Sequence, residues 1–403
     1  MPHNRPVIFL FNHDAGHQVA HSAGIAGALA LMADAPPVIA AVGSAAIRHE
    51  VEKLLDDAQI LALKWLDLSL PVWIQRALSP VNKLIPVQRI ARLYWYRKAL
   101  FAAAMIVSTE RTCLTLKRHW SRRRHNKGAP RFAYIPHGSG DRNVAVHSAL
   151  KAFDLCLVSG QKVVDQLTEA GAARAEDCRI IGYAKFDILR GREPEKFFDN
   201  NRPTFMYNPH FDPHMSSWFD HGPAILEYFY THAGQYNLIF APHVMLFAKT
   251  VHISPEYKVT RRRPDVDPKY LSAPNIRIDT RSARLFDMSY TLSADAYIGD
   301  VSSQIYEFLY RPRPCFFIDV HTKVAADIAD TAAAYDFWRN GPVVKSTEAL
   351  VKILPDFASI GKHYRDIQVD RMAYTADNSD PRTASQRGAA AIYACLEIAS
   401  GIR

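Results

Sequence analysis

Short apolar runs alternate with longer helical patterns along most of the chain, and this alternation constrains the fold more than any other feature. PVIFLF (6–11) and PPVIAAV (36–42) read as buried strands. QVAHSAGIAGALALMAD (18–34) and AAIRHEVEKLLDDAQI (45–60) carry helical spacing. The run 100–109 leads from a helix into a strand, and 131–138, 154–160 and 178–183 each read as a strand entering a turn. Helices are predicted over 141–152 and 161–171. A polar stretch, LRGREPEKFFDNNRPT (189–204), then breaks the pattern, which restarts as strand TFMYNP, helix GPAILEYFYTHAG, strand YNLIFAPH and strand NIRID. It continues as helix SARLFDMSYTLS, strand DAYIGD, helix SSQIYEFLY and strand PCFFID. Such alternation in both halves predicts an α/β fold of two Rossmann-type domains, with parallel sheets facing a central cleft. The predicted boundaries are 1–188 for the first domain, 189–203 for a linker and 204–383 for the second, with a last helix, 384–403, crossing back.

The length of 403 residues suits two cores better than one. Hydrophobic residues at 48% and charged residues at 22% fit two globular parts. The formal net charge of +9 favours polyanionic partners, from nucleotides to anionic lipid. Five scattered cysteines without a C-x-x-C pair read as core residues in a reducing compartment. The N-terminus lacks a signal-peptide pattern, and no run approaches the roughly 18 apolar residues of a spanning helix. These features predict a cytoplasmic protein.

Six predicted strands end in polar residues capable of chemistry: Asn12-His13-Asp14, His137-Gly138-Ser139, Gly182-Tyr183, Asn208-Pro209-His210, His243 and Asp300-Val301-Ser302-Ser303. If Ser302 and Ser303 begin a helix, its free N–H groups and dipole favour a phosphate there. Glu307, four residues after Ser303, would accept from ribose hydroxyls, while Asp300 braces the turn. A serine-capped helix with a solvated glutamate is the plain alternative. His137 suits a general base acting on a hydroxyl. His210 and His243 end consecutive strands and can donate to a diphosphate, whereas Asp212 and His214 lie in a Pro-rich loop. His13, His17 and His21 would share one face of a helix, but no H-E-x-x-H pattern accompanies them, so no metal site is expected. His13 and His17 are acceptor-side candidates.

The stretch 111–131 holds eight Lys and Arg, two His and no acid, and 80–101 mixes aromatics with Arg and Lys. Together, 80–131 would dock on an anionic inner-membrane surface as a peripheral protein does. No nucleic-acid recognition motif is present, so nucleic acid is not an expected partner.

The order of these motifs resembles the CDP-glycerol glycerophosphotransferase family, which includes teichoic-acid and capsule polymerases, over roughly residues 131–320. The resemblance implies a two-domain GT-B enzyme with acceptor binding in the first domain and nucleotide-donor binding in the second. IPHGSGDR is similar to the family's His-Gly motif, which makes His137 the implied catalytic base, supported by Gly138. IIGYAKFDIL is similar to a Gly-x-Pro-Arg-x-Asp turn, with Ala184 for the proline and Lys185 for the arginine. LIFAPHVML resembles the segment whose histidine lies near the donor phosphates, implying that role for His243. IGDVSSQIYEFLYRPRPCFF matches most fully, with Asp300, Ser302, Ser303 and Glu307 in place. The family's Pro-Thr-x-Arg is here Pro209-His210-Phe211-Asp212, which lacks the arginine.

The resulting expectation is a transferase moving a polyol phosphate from a CDP-activated donor to a hydroxyl of a lipid-linked or polymeric glycan, with no cofactor. One alternative is a glycosyltransferase or epimerase using a UDP- or CMP-sugar, with His13 or His17 as base. Another is a non-catalytic scaffold binding glycans or membranes.

Overall fold

VIFLF becomes β1 (Val7–Phe11), and its side chains divide between two cores as period-2 geometry requires. Val7, Phe9 and Phe11 join one cluster, and Ile8 and Leu10 the other. A strand buried on both faces has no polar side to show, which is why the run reads as continuously apolar. The computed structural model describes residues 5–13, 16–82, 87–124, 128–136, 147–321, 335–377 and 379–400, with backbone only at 17, 122–124 and 399–400. The chain divides into two compact units, one of residues 1–190 and 373–403, the other of residues 191–372.

The first unit carries a seven-stranded sheet. After β1 come β2 (Val38–Val42), β3 (Lys64–Asp67), β4 (Met105–Ser108), β5 (Arg131–Tyr134), β6 (Leu155–Val158) and β7 (Cys178–Ile180). Every pairing is parallel, in the order β3-β2-β1-β4-β5-β6-β7. The helices are α1 (Ala23–Ala30), α2 (Ala45–Glu52), α3 (Asp57–Ala62), α4 (Val72–Asn82), α5 (Val87–Trp95), α6 (Arg97–Phe101), α7 (Leu114–Arg124) and α8 (Gln161–Glu169). Ile25 and Leu29 of α1 cover one face of the sheet, while Leu93 of α5 and Leu116 of α7 cover the other.

The second unit repeats the plan with β8 (Thr204–Asn208), β9 (Asn237–Phe240), β12 (Ile276–Ile278), β13 (Ala296–Gly299), β14 (Cys315–Ile318) and β15 (Val343–Val344). Its six strands are all parallel, in the order β12-β9-β8-β13-β14-β15. An antiparallel hairpin, β10 (Val251–Ser254) with β11 (Val259–Arg262), is inserted between β9 and β12. The helices are α9 (Gly222–Thr231), α10 (Ser289–Ser293), α11 (Ile305–Phe308), α12 (Thr347–Ile353) and α13 (Phe357–Thr375), the last three residues of which belong to the first unit. In both sheets the unit's first strand lies between its second strand and the strand that begins the other half. The strand order therefore reverses between β1 and β4, and between β8 and β13, and such switch points open a crevice at the carboxyl ends of the strands.

The last helix, α14 (Ala384–Ser400), packs on α1, where Ala389 and Ile392 share a core with Ile25. A Cβ at Gly388 would lie 3.0 Å from the Ile25 side chain, so glycine permits this close approach. The Asp187 carboxylate accepts from the backbone N–H groups of Ala384 and Ser385, at 3.2 and 2.7 Å, and caps the helix. The aspartate of the IIGYAKFDIL turn is thus a helix cap.

Three expectations are corrected. The helix expected across SSQIYEFLY is a single turn, because Asp300–Val301 form a bend, Ser303–Gln304 form a turn, and Pro312 and Pro314 follow closely. His13, His17 and His21 do not share a helix face: His13 follows the end of β1, and Gly16–His21 is a 3-10 turn with a different period. The segment 80–101, whose mix of aromatics with Arg and Lys suits a membrane-surface helix, is not one helix: α5 and α6 break at Tyr96.

Candidate functional site

The ends of β8, β9 and β13 are tied together before any functional group appears. The Asn208 side-chain amide donates to the Ala241 carbonyl (2.6 Å) and accepts from the Tyr297 hydroxyl (3.1 Å). The backbone N–H of His243 donates to the Pro209 carbonyl at 3.0 Å. Asp300, buried at the end of β13, accepts from the backbone N–H groups of His210 (2.9 Å), Ser217 (2.6 Å) and Val301 (2.6 Å) and from the Ser217 hydroxyl (2.8 Å). Its carbonyl accepts from the Trp338 indole at 2.8 Å. Burial pushes the Asp300 carboxyl up to about 6, against the opposing pull of the bonds from Ser217, His210 and Val301. Asp300 is therefore a brace that joins two strand ends at the switch point.

On this frame sit two imidazoles, 5.3 Å apart between ring centroids, with Phe211 against both at 4.4 and 4.7 Å. His210 is fully buried and His243 half-buried. The Nδ1 of His210 accepts from the Asp212 backbone N–H (3.0 Å), and that of His243 from the Met245 backbone N–H (3.2 Å). With Nδ1 an acceptor in each ring, the proton of the neutral form resides on Nε2. Both histidines are thus fixed in the tautomer that presents Nε2–H.

Ser302 is buried, and its hydroxyl accepts from the Gln304 N–H at 3.3 Å. The Ser302 and Ser303 carbonyls accept from Ile305 and Tyr306, so the serines shape the turn into α11. With only four residues, α11 has little macrodipole, and an anion here would be held by hydroxyls and imidazoles instead. Glu307 lies in the first turn of α11, largely buried.

A second group at these strand ends escaped the sequence reading. His321, after β14, lies 3.2 Å from the Tyr335 hydroxyl through Nε2, and its backbone N–H donates to the Asp319 carboxylate at 2.9 Å. Burial, with His214 adding its charge, holds the His321 ring below the ordinary imidazole value. His214 is 4.9 Å from His321 and stacks on Tyr257, at the turn of the β10–β11 hairpin, at 3.8 Å. FFIDVH carried the same signal as the other strand ends, a polar pair after an apolar run. Tyr257 carried none. Among the described residues, no group of three or more His, Cys, Asp or Glu is placed to hold a metal ion.

In the first unit, His13 is buried, with Nδ1 3.2 Å from Glu110 Oε1 and Nε2 3.1 Å from the Thr109 hydroxyl. Arg89 of α5 reaches the same Glu110 oxygen at 2.6 Å. Burial works to raise the Glu110 carboxyl, but the His13 hydrogen bond and the His13 and Arg89 charges outweigh it and hold it below the usual range. Both nitrogens of His13 are engaged, so it braces the β1–β4 switch point. Lys185 is buried in the 3-10 turn after β7. In that region Gly182 has a φ of +81°, and a Cβ there would lie 2.2 Å from the Arg387 guanidinium. A small cavity lined by His21, Pro136, Ser159 and Tyr183 opens at the ends of β5, β6 and β7. His137 and Gly138 lie outside the described residues, and only the backbone of His17 is described.

No protein-family model matches the chain, and no curated protein matches it by sequence. Solved structures do match it in fold. The wall teichoic acid polymerase TagF aligns over 100% of this chain and 90% of its own, with 14% identity and a TM-score of 0.63. A putative UDP-N-acetylglucosamine 2-epimerase from Listeria monocytogenes aligns over 99% of this chain and 98% of its own, with 10% identity and a TM-score of 0.56. MnaA of S. aureus, solved with UDP, aligns to the same extent with 10% identity and a TM-score of 0.57. With its two parallel sheets, the chain has a GT-B-type α/β fold.

Proposed function

We propose that the chain is a transferase that takes a polyol phosphate, such as glycerol phosphate, from a CDP-activated donor and passes it to a hydroxyl of a lipid-linked or polymeric glycan. The observation that carries this reading is the pair His210 and His243, 5.3 Å apart between ring centroids and each held through Nδ1, with the His210 backbone N–H bound to Asp300 at the switch point of the second sheet. Two fixed donors and two hydroxyls suit a diphosphate. The similarity of IPHGSGDR and IGDVSSQIYEFLYRPRP to the glycerophosphotransferase motifs supports the same reading, as does the likeness to TagF, one of whose structures was soaked with CDPG.

In this mechanism His137 takes the proton of the acceptor hydroxyl as its oxygen attacks the outer phosphorus of the donor. The bond from that phosphorus to the bridging oxygen breaks, and CMP leaves with the electron pair. His210, His243 and the hydroxyls of Ser302 and Ser303 stabilise the charge that develops on the departing phosphate. Glu307 accepts from the ribose hydroxyls. The buried Asp300 touches no substrate and keeps the strand ends in register.

A second reading, a nucleotide-sugar transferase or epimerase, is favoured by the likeness to the putative UDP-N-acetylglucosamine 2-epimerase and to MnaA, solved with UDP. A donor panel separates the two. The proposed reading expects CMP release from CDP-glycerol or CDP-ribitol in the presence of a glycan acceptor. Turnover of a UDP-sugar, with no CMP released from either CDP-polyol, would replace it with the second.

A further inference from the structure

We infer that His214, Asp319 and His321 form a subsite for the hydroxyl groups of the donor's transferred polyol, separate from the diphosphate seat; this rests on the donor reading proposed above. The cluster gathers on the loops that follow β8 and β14. His214 and His321 lie 4.9 Å apart between ring centroids, with Tyr257 stacked on His214 at 3.8 Å. His321 meets the Tyr335 hydroxyl through Nε2 at 3.2 Å. Asp319 is fully buried. Its Oδ1 accepts from the His321 backbone N–H at 2.9 Å, and its Oδ2 has no hydrogen-bond partner among the described residues. A buried carboxylate oxygen without a donor is costly, and a fold keeps one where a ligand supplies the donor. Among the described residues, His321 Nδ1 and both ring nitrogens of His214 are likewise without a hydrogen-bond partner.

Charge decides the class of ligand. Asp212 accepts from the His214 backbone N–H at 2.9 Å and from the Ser254 hydroxyl at 2.8 Å. Its charge and that of Asp319 both act on the His321 ring, yet burial and His214 hold that ring below the ordinary imidazole value, so it is neutral at pH 7. A phosphate would meet two carboxylates here. An uncharged hydroxyl fits instead, because it donates to Asp319 Oδ2 and accepts from an imidazole N–H. The rings of Tyr257 and Tyr335 supply apolar surface for the carbon chain of a polyol. The position suits a donor lying across β13. His210 and His243 follow β8 and β9, and His321 follows β14, on the other side of β13. Neighbouring strands lie about 4.8 Å apart, so β8 and β14 are roughly 10 Å apart, a span that a diphosphate and a short polyol cover together. Asp212 joins the two seats, since its backbone N–H donates to His210 Nδ1 and its carboxylate accepts from the His214 N–H.

Titration calorimetry on the full chain compares CDP-glycerol with CDP, which lacks the polyol. His214→Ala, His321→Ala and Asp319→Asn should each raise the Kd for CDP-glycerol about tenfold, the measure of one lost hydrogen bond to a buried group, and leave that for CDP within about twofold. Asp319→Asn is the sharpest of the three, because its Oδ1 still accepts from His321 while an N–H₂ replaces the bare oxygen. Should that variant lose its cooperative melt, the two histidine variants decide, since neither residue is fully buried. Wild-type affinity for CDP-glycerol in the histidine variants would overturn the inference and leave the donor reading standing. So would an equal loss of affinity for both nucleotides, which would make the cluster a support of the diphosphate seat. A wild-type chain that binds neither CDP nor CDP-glycerol would end the donor reading, and this inference with it.

Discussion

Asp300 shows how little a residue's type reveals about its task. From sequence it is an acid at a strand end beside two serines, the setting of a ligand contact. In the fold it is buried and receives hydrogen bonds from His210, Ser217 and Val301. Burial lifts its carboxyl from 3.8 to about 6, so the folded chain keeps this proton longer than the unfolded chain does. The stability that this group adds is whole below about pH 4 and is lost as the pH rises through 6, by about 3 kcal/mol. Asp300→Asn should flatten the fall in stability between pH 4 and 6, measured by denaturant titration at each pH. It should also cost about 1–3 kcal/mol throughout, because an amide N–H₂ meets the donors that a carboxylate accepts. Parallel curves for the two proteins would uncouple Asp300 from the slope. His243 makes the opposite case. It is half-buried, so His243→Ala should leave the melting temperature nearly unchanged while lowering donor turnover by about 10²–10³-fold. A loss of stability matching the loss of turnover would make His243 a structural residue.

The elements that sequence revealed are those whose physics is local. β1, β8 and β13 were readable because a strand buried on both faces must be apolar throughout. The β10–β11 hairpin was not, because it turns His252 and Ser254 inward and exposes Val251 and Ile253, inverting the expected pattern. α11 was read as too long because helical spacing continues through Tyr310, while the turn at Ser302 and the prolines beyond Arg311 leave room for one turn only. The fate of His13 was hidden for a different reason, since its partner Glu110 stands 97 residues away. RPRP looked like a motif that ends a helix, and the fold gives its second arginine a specific task. The Arg313 guanidinium donates to the carbonyls of Thr291, Leu292 and Ala294 at the end of α10, and to that of Phe308. Its plane lies over the Phe308 ring, 3.9 Å from the centroid. Arg313→Lys keeps the charge but cannot reach four carbonyls at once, and should destabilise the second unit by about 2–4 kcal/mol in calorimetry. A melt within about 0.5 kcal/mol of wild type would show that water serves those carbonyls equally well.

At the scale of the whole molecule, each unit has its own pair of cores. Among the described residues, two clusters cover the faces of the first sheet, and both draw on residues of the first unit, including Ala389 and Ile392 of α14. The other two, among the same described residues, draw on the second unit. The second unit is also continuous in sequence, running from 191 to 372. Its switch point is complete within it, since Asn208, His210, His243, Asp300, Ser302 and Glu307 all belong to this segment. A fragment of residues 191–372 should therefore fold alone and unfold in one cooperative transition. If the proposed donor site is right, the fragment should bind a CDP-linked nucleotide without the first unit, although it would transfer nothing. At a ligand concentration about a hundredfold above Kd, binding adds about 2.7 kcal/mol, or roughly 5–10 °C for a unit of this size. The same shift in the full chain and in the fragment would place the whole donor site in the second unit. A fragment that melts cooperatively but shifts only with the first unit attached would mean that donor recognition needs residues from both. A fragment without a cooperative transition would show that the two pairs of cores are not independent.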